Sequence, residues 1–315
     1  MKNAKILISV EIKEIAKRLG ADAVGIAPVN PVSVKDAYLT WLSRGYHGEM
    51  AYLARYQEER FDPGRLLPGA QSIIVTGFNY CPDENNYRMI KGPYRVARYA
   101  WGNDYHRIIR QMLEKLRARL RLIVPDLKGR ICVDTAPFMD KYWASQAGLG
   151  WPGKHTNLVS TTYGSWLLLG SLVIDIAIDE YDHPSDDHCG RCTACIEACP
   201  TGAITAPYCL DATRCISYQT IENKSDTIPE NIALLSKGWV FGCDICLEVC
   251  PFNRFQKPRH QKELTRREEI GMVETGAVTN MTEGEFDLKF ASSPLRRPGL
   301  KGLLRNIRAT RISGE

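Results

Sequence analysis

Residues 189–200 read CGRCTACIEACP, in which four cysteines precede a proline at spacings of three, three and four residues. This C-x2-C-x2-C-x3-C-P run is typical of bacterial ferredoxins, where three thiolates hold one [4Fe–4S] cluster and the fourth reaches a second cluster. A shorter run, CDICLEVCP at 243–251, repeats the pattern with one cysteine fewer, and Cys215 stands between the two runs. The pattern therefore predicts a small module that holds two [4Fe–4S] clusters.

The ligand sets follow from the rule that the cysteine before each proline serves the other cluster. The first set is Cys189, Cys192, Cys195 and Cys250, and the second set is Cys199, Cys215, Cys243 and Cys246. Two structural zinc sites are the alternative, but zinc motifs favour CxxC pairs separated by longer gaps. The remaining cysteines are expected to be small buried apolar residues: Cys81, Cys132 and Cys209.

Length and composition are those of an ordinary globular protein, with 315 residues, 44% hydrophobic and 24% charged. The longest apolar run, 166–178, is interrupted by Gly170, Ser171 and Asp175 and is too short to cross a bilayer. No long apolar region of a secretory signal follows the N-terminus. We therefore expect a cytoplasmic protein without membrane association. The net charge of +5 is too small to specify a partner.

Apolar patterning predicts alternating helices and strands before the cysteine runs. The predicted helices are 11–20, 34–56 with breaks at Gly45 and Gly48, 105–122 and 138–147, and the predicted strands are 22–27, 72–78, 130–134 and 165–178. Taken with the cysteine module, this order predicts an α+β fold class. The expected parts are an α/β domain at 1–180, a two-cluster ferredoxin-like domain at 181–260, and a charged C-terminal segment at 261–315 that ends in a short basic tail.

The candidate catalytic segment is VDTAP at 133–137, where Asp134 stands at the end of a predicted strand, immediately before a predicted helix. No GxGxxG follows a predicted strand and no GxxxxGK[ST] loop occurs, so neither a Rossmann site nor a P-loop is predicted. The glycine-rich segments 147–151 and 153–157 would let backbone approach a large flat ligand closely. Taken alone, Asp134 is more simply interpreted as the N-terminal cap of the next helix.

An ordered set of motifs resembles the epoxyqueuosine reductase family, which is cobalamin-dependent and performs the last step of queuosine synthesis on tRNA. The motifs are RYAWGxDYH at 98–106, VDTAP at 133–137, GLGWxGK at 148–154, GSW at 164–166, CISY at 215–218, SPLRR at 293–297 and GLLRN at 302–306. Together with the cysteine runs they extend over nearly the whole chain.

The resemblance implies a cobalamin held between the N-terminal domain and the cluster module. Electrons would pass through both clusters to give Co(I), and the epoxide of the modified wobble base would be reduced by two electrons. Asp134 matches the family's proton donor, and burial beside a corrin is expected to raise its pKa. Besides Asp134, the implied cofactor contacts are Arg60, Tyr105, His106, Lys154, Asn157 and Ser217.

The implied partners are a tRNA with a GUN anticodon carrying epoxyqueuosine and an electron donor such as a flavodoxin or a ferredoxin. A monomer is expected. The basic tail predicts phosphate contacts from Arg296, Arg297, Lys301 and Arg305, although a solvated helix face would have the same composition. The helical repeats of many family members are absent from this sequence, so RNA binding is expected to depend more on the tail.

Three positions depart from the family pattern, since Asp140 and Lys141 stand where Glu-Arg is usual and His155 where Asn is usual. Two other functions stay open. A corrinoid reductase of the reductive-dehalogenase type would share both kinds of cofactor but would not need the basic tail. A ferredoxin-type electron carrier would leave the first 180 residues and VDTAP unexplained.

Overall fold

The computed structural model describes residues 7–82 and 92–310. Within these ranges the strands are β1 (Ala23–Pro28), β2 (Ser72–Asn79), β3 (Arg95–Val96), β4 (Gly129–Cys132), β5 (Trp151–Pro152), β6 (Leu158–Val159), β7 (Leu167–Ile174), β8 (Ile204–Ala206), β9 (Cys209–Leu210) and β10 (Trp239–Phe241).

The α-helices of the same ranges are α1 (Ser9–Arg18), α2 (Lys35–Ser43), α3 (Ala51–Ala54), α4 (Gln57–Phe61), α5 (Pro63–Leu66), α6 (Tyr105–Ile123), α7 (Asp140–Gln146), α8 (Ala194–Ala198), α9 (Ile216–Ile221), α10 (Glu230–Leu234), α11 (Ile245–Glu248), α12 (Glu269–Glu274), α13 (Glu283–Lys289) and α14 (Gly299–Ala309). Short 3-10 helices lie at Arg98–Ala100, Ala212–Arg214, Pro251–Phe255, Lys262–Leu264, Ala277–Asn280 and Pro294–Arg296.

A four-stranded sheet in the order β1-β2-β7-β4 organises the N-terminal half. Its three pairings are antiparallel, and β2 pairs with β7 from Ser72 opposite Ile174 to Asn79 opposite Leu167. Every residue of β2 is buried, which explains its continuous apolar sequence because both faces of the strand are covered. Ile74 packs in the core that contains α6, whereas Ile73 packs in the core that contains α7.

Helix α6 lies against one face of this sheet. Asp104 caps it by accepting a hydrogen bond from the His106 backbone N–H at 3.0 Å. Its buried residues recur at helical spacing and face the sheet: Ile109, Met112, Leu113, Leu116 and Leu120. Gly170 in β7 allows the close approach, since a Cβ there would collide with Ile109. The site residues at the start of α6 are therefore fixed to the sheet.

The α+β class predicted for the chain is confirmed. The label α/β for the N-terminal domain needs correction, because its sheet is antiparallel rather than parallel. The predicted helices at 11–20, 105–122 and 138–147 correspond to α1, α6 and α7, and the 34–56 prediction divides at its glycines into α2 and α3. Strand β4 ends at Cys132, so Asp134 lies in the following turn rather than in the strand.

A buried ion pair connects this half to the cysteine module. The Arg98 guanidinium lies 3.1 Å from Asp244 and 2.6 Å from Glu248, and the Arg98 backbone N–H also donates to Asp244 at 2.8 Å. Asp244 stands between two cysteines of the second run, Cys243 and Cys246. The pair therefore fixes that run against the segment that leads into α6.

The C-terminal segment differs from the expected charged tail, because most of it folds around an apolar core. The core side chains come from α12, α13 and α14 and from the cysteine module: Val240, Phe241, Ile270, Val273, Phe286, Phe290, Leu295, Leu300, Leu303 and Ile307. Asn306, fully buried, donates to the carbonyls of Thr220 and Val240 at 2.8 Å each. The sequence of this segment did not predict an apolar core, because its many cations lie on the outer faces of short helices.

No helix in 7–82 or 92–310 combines the length and the apolar character that a membrane span requires.

We predict that Leu303→Ala lowers the free energy of unfolding by about 2–5 kcal/mol, because it leaves a cavity in a packed core. Leu303 is 0% exposed, whereas Leu288 on α13 is 82% exposed, so Leu288→Ala is the matched control and should change stability by less than about 0.5 kcal/mol. Urea unfolding followed by circular dichroism measures both. Equal, negligible effects would show that the segment is a solvated tail.

Candidate functional site

The first cysteine set surrounds a single cavity. Cys189, Cys192, Cys195 and Cys250 line a cavity of about 30 Å³ together with Lys154, His155, Pro251 and Phe252. Cys192 is exposed, so this cavity lies at the protein surface. The structure thus brings together the four thiols that the exchange rule assigned to one cluster. In 7–82 and 92–310, no three His, Cys, Asp or Glu side chains are arranged to hold a single metal ion.

Two side chains from the N-terminal half support the first set. Lys154 donates from Nζ to the carbonyls of Gly190 and Cys192 at 2.7 and 2.9 Å, and Trp151 donates from Nε1 to Cys189 Sγ at 3.4 Å. Lys154 was expected to contact the corrin, but the structure places its ammonium against the backbone of the first cysteine run. The Lys154 ammonium places a positive charge beside the loop that carries these thiols and fixes that loop with two hydrogen bonds.

The second set lies deeper in the protein. Burial raises the pKa of Cys246 far above its usual range, and the nearby charges of Cys215 and Cys199 raise it further. Burial and the charges of Cys246 and Cys215 act on Cys243 in the same direction. These four thiols therefore lie within electrostatic range of one another, and a positive metal centre would be required to hold them as thiolates.

Backbone N–H groups point at these sulfurs. The Ala203 N–H donates to Cys199 Sγ at 3.3 Å, and the N–H groups of Ser217 and Tyr218 act on Cys215 at the start of α9. Ser217, a predicted corrin contact, is half-buried and lies beside this second set. Such N–H groups stabilise negative charge on sulfur and help to set the potential of a cluster.

Asp134 lies in the turn after β4, with a left-handed φ of 49°. Its Oδ2 is 3.0 Å from His106 Nε2, and His106 Nδ1 is 2.7 Å from Asp104 Oδ1. The interpretation of Asp134 as a helix cap is wrong, because α7 begins six residues later and its N-terminal residue is Asp140. The Asp134 side chain is 64% exposed, so the carboxylate is accessible to a ligand.

The raised pKa expected for Asp134 refers to a carboxyl beside a bound corrin and stays a prediction; in the chain by itself the pKa moves in the opposite direction. Burial raises the pKa of Asp134, but the hydrogen bond and charge of His106, a hydrogen bond from Tyr105 and the charge of Lys141 lower it below its ordinary value. The pKa of His106 responds in the opposite way. Burial lowers it, but hydrogen bonds to Asp104 and Asp134 raise it to about 9. At neutral pH the proton of this pair therefore resides on His106.

Lys141 lies within electrostatic range of Asp134 and of two cysteines of the second set. Its Nζ donates to Asn157 Oδ1 at 2.6 Å and to the Thr156 carbonyl at 3.1 Å. Burial lowers its pKa, while the charges of Asp134, Cys246, Asp140 and Cys215 raise it. The ammonium lies among protein groups, but the residue as a whole is exposed, as is the Asp134 side chain. We call the solvent-accessible region lined by Asp134, Lys141 and Asn157 the open region. Asn157, a predicted cofactor contact, forms part of its wall.

Two buried polar atoms near this region lack hydrogen-bond partners, namely Arg60 Nε and Asp140 Oδ1. Burial and the charge of Asp134 raise the pKa of Asp140 to about 7, and the charge of Arg60 lowers it. The Asp140 carboxyl therefore lies within electrostatic range of the Arg60 guanidinium. An N–H donor and a carboxyl oxygen without partners are costly in a protein interior, and they mark a place for a polar ligand.

The four cations predicted to contact RNA have different surroundings. Arg305 donates to the carbonyls of Gln219, Asn223 and Ser225 and to Asn306 Oδ1. Its prediction as a phosphate contact needs correction, because the guanidinium is used to join α14 to the cluster module. Arg296 and Lys301 are exposed beside Asp287 at 3.6 Å and Asp226 at 2.8 Å.

Arg297 lies at the rim of the open region. Its guanidinium makes two hydrogen bonds to Glu222, at 3.0 and 2.9 Å, and lies 6.0 Å from the ring centre of Tyr52. The charges of Arg297 and Asp134 both act on Tyr52, which is 45% exposed. Tyr52 was not predicted from the sequence, since a single tyrosine in a surface helix carries no motif. Its position beside Arg297 is visible only in the folded chain.

We predict that Cys250→Ala removes the first cluster and Cys215→Ala removes the second, although each residue is remote in sequence from most of its set. Each variant should retain about half of the native iron and sulfide, because a cubane missing one of four thiolates is poorly held. Cys209→Ala is the matched control and should retain both clusters. Iron analysis and electron paramagnetic resonance measure the result, and unchanged iron in either ligand variant would contradict the assignment.

Two family models match this chain. A model described as "4Fe-4S double cluster binding domain" matches residues 188–253, and one described as "Epoxyqueuosine reductase QueG, DUF1730" matches residues 60–135. The first spans both cysteine runs, which supports iron–sulfur clusters over zinc. The second includes Arg60, His106 and Asp134.

Relatives named epoxyqueuosine reductase from Leadbetterella byssophila and Synechocystis are each 42% identical to this chain. The matches cover 95% and 91% of this chain and 97% and 99% of the two relatives. A crystal structure of epoxyqueuosine reductase with an epoxyqueuosine-modified tRNA-Tyr stem loop superimposes with a TM-score of 0.84 at 29% identity, over 96% of this chain and 80% of that chain. With its cysteine module and its Asp134 site in place, the chain belongs to the epoxyqueuosine reductase family.

Proposed function

We propose that this chain, an oxidoreductase by its family, deoxygenates epoxyqueuosine to queuosine in the wobble position of tRNA. One observation carries the proposal: Lys141 lies within electrostatic range of the Asp134 carboxylate and of the second cysteine set. An acid–base group and an electron source therefore face the same open region. Reduction of an epoxide needs both, because removal of its oxygen as water consumes two electrons and two protons.

Cobalamin is the proposed cofactor of this open region. The corrin periphery carries amide groups, which are the partners that the Arg60 N–H and the Asp140 oxygen lack. Lys141 and Asn157 supply further polar groups on the same wall. When bound, cobalamin would supply a strongly reducing cobalt centre. The residues present therefore fit the group, and Arg60, Asp140, Lys141 and Asn157 would hold it.

Asp134 has the position of a proton donor in this proposal. Its carboxylate is accessible, and its conformation is held by His106 at 3.0 Å. Protonation of the epoxide oxygen eases opening of the ring, since a hydroxyl is formed in place of an alkoxide, and a second proton lets that hydroxyl leave as water rather than as hydroxide. Asp134 would hold its proton only briefly, because His106 and Lys141 favour the ionised carboxylate.

Electrons would enter through the first cluster and leave through the second. Cys192 is exposed, whereas the second set lies near Lys141. A one-electron donor such as a flavodoxin or a ferredoxin would bind at the exposed side and deliver two electrons in succession. The Asp134 region distinguishes the reductase hypothesis from the electron-carrier hypothesis, since an electron carrier would not require that region.

The RNA partner is proposed to be a tRNA with a GUN anticodon, bound by a monomer in the cytoplasm. The related reductase crystallised with a modified tRNA stem loop supports RNA as the substrate. Arg297 and Tyr52 at the rim offer a cation and an aromatic ring, which suit the phosphates and the unstacked bases of single-stranded RNA. Arg296 and Lys301 extend the positive surface.

We predict that anaerobically reconstituted native protein, supplied with cobalamin, a low-potential donor and tRNA bearing epoxyqueuosine, forms queuosine. Asp134→Asn should lower kcat by about 100-fold or more, because the amide cannot supply the proton. Asp126→Asn, an exposed carboxylate on the surface, is the matched control and should retain the native rate. Mass spectrometry of the nucleosides measures the product. Absence of queuosine from the native reaction would refute the proposed function.

We also predict that Arg296→Gln, Arg297→Gln and Lys301→Gln each weaken tRNA binding and flatten its salt dependence. Each lost phosphate contact should reduce the slope of log K against log salt by about 0.7. Arg18→Gln, an exposed residue of α1, is the control and should leave the slope unchanged. Fluorescence anisotropy from low to moderate salt measures the slopes, and native slopes in all three variants would place the RNA elsewhere.

A further inference from the structure

His106 is held between two carboxylates. Its Nδ1 is 2.7 Å from Asp104 Oδ1, and its Nε2 is 3.0 Å from Asp134 Oδ2. The same Asp104 oxygen accepts the His106 backbone N–H at 3.0 Å, so backbone and ring are fixed together at the start of α6. The ring also stacks on Tyr105, with centroids 4.1 Å apart and planes at 26°. Its orientation is therefore set from three sides.

This arrangement favours the doubly protonated ring. A neutral imidazole has one N–H and could donate to only one of the two carboxylates, whereas the imidazolium donates to both. The side chain is 31% exposed, so solvent can replace a proton that leaves the ring. A histidine whose only role is to pack against the helix would not need hydrogen bonds to both carboxylates.

We propose that His106 is a positioning residue that stores the proton which Asp134 passes to the departing oxygen. This rests on the proposed deoxygenation of epoxyqueuosine. The Nε2–H bond of His106 breaks as an O–H bond forms on Asp134, and Asp134 then gives the same proton to the oxygen as its C–O bond breaks. The neutral ring takes a new proton from solvent. Since release of one water consumes two protons, the relay operates twice or shares the task with solvent.

Other charged and titratable groups surround this pair. Asp104 caps α6, Tyr105 and Arg107 lie in its first turn, and Asp140 and Lys141 belong to α7. Tyr99, Tyr52 and Arg297 lie within electrostatic range of Asp134 from other elements. The carboxylates favour the charged ring, while Arg107 and Lys141 act on the carboxylates themselves. The net result is a pKa of about 9 for His106. The stored proton is present below that pH and is lost as the pH rises through it.

The test compares pH profiles of kcat/KM for native protein and His106→Gln, with clusters and cobalamin loaded in both. Glutamine keeps a hydrogen bond to Asp134 but carries no transferable proton. In His106→Gln, kcat/KM should fall with rising pH as the Asp134 carboxyl itself ionises. The ratio of native to variant kcat/KM should therefore increase more than about tenfold between pH 6 and pH 8.5. His183→Gln, an exposed histidine, is the matched control and should keep the native profile.

A second measurement does not depend on turnover. NMR of 13C-labelled histidine in the loaded protein, assigned with His106→Gln, should give a His106 titration near pH 9 that falls by at least about one unit in Asp134→Asn, because one of its two carboxylates is removed. An unchanged titration would overturn the proposal, as would a loss of activity in His106→Gln that is equal at every pH. If native protein forms no queuosine at any pH, the proposed function fails, whereas the titration still decides whether the pair exists.

Discussion

The buried contact of Arg98 with Asp244 and Glu248 is the constraint on which the site depends. It joins the segment before α6, which carries Asp104 and His106, to the run that carries Cys243 and Cys246. Removing one partner of such a pair costs about 3–5 kcal/mol, because the other charge is left in the interior. The contact therefore helps to keep the segment that carries His106, which holds the Asp134 carboxylate, next to the second cysteine run.

Much of the fold was predictable because its strongest signals are local. The mostly apolar sequence of β2 and the helical spacing of α6 each identify a buried element, and the spacing of the cysteines identifies the module without any structural information. The antiparallel order of the sheet was not predictable, since the pairing of β2 with β7 joins residues about a hundred positions apart. The sequence of a strand does not identify a pairing partner that lies so far away along the chain.

The residues that form the candidate site were predictable from the sequence, but their pKa values and hydrogen-bond partners were less so. Asp134 and His106 were both selected from sequence, yet the pKa of Asp134 depends on the position of a ring that the sequence cannot place. Lys154 was assigned to the corrin because it follows a glycine-rich segment, whereas its two carbonyl partners lie in the first cysteine run. Arg305 was counted among free cations because its carbonyl partners, at 219, 223 and 225, are distant in sequence.

The contacts of α14 have a practical consequence for dissecting this protein. Asn306 bridges Thr220 and Val240, while Leu303 and Ile307 share a core with Phe241. A fragment cut after residue 260 to isolate the iron–sulfur part would therefore expose an apolar surface and lose the helix that braces α9, which begins directly after Cys215. Helix α14 therefore belongs structurally to the cysteine module, and any minimal fragment that contains this module should include α14.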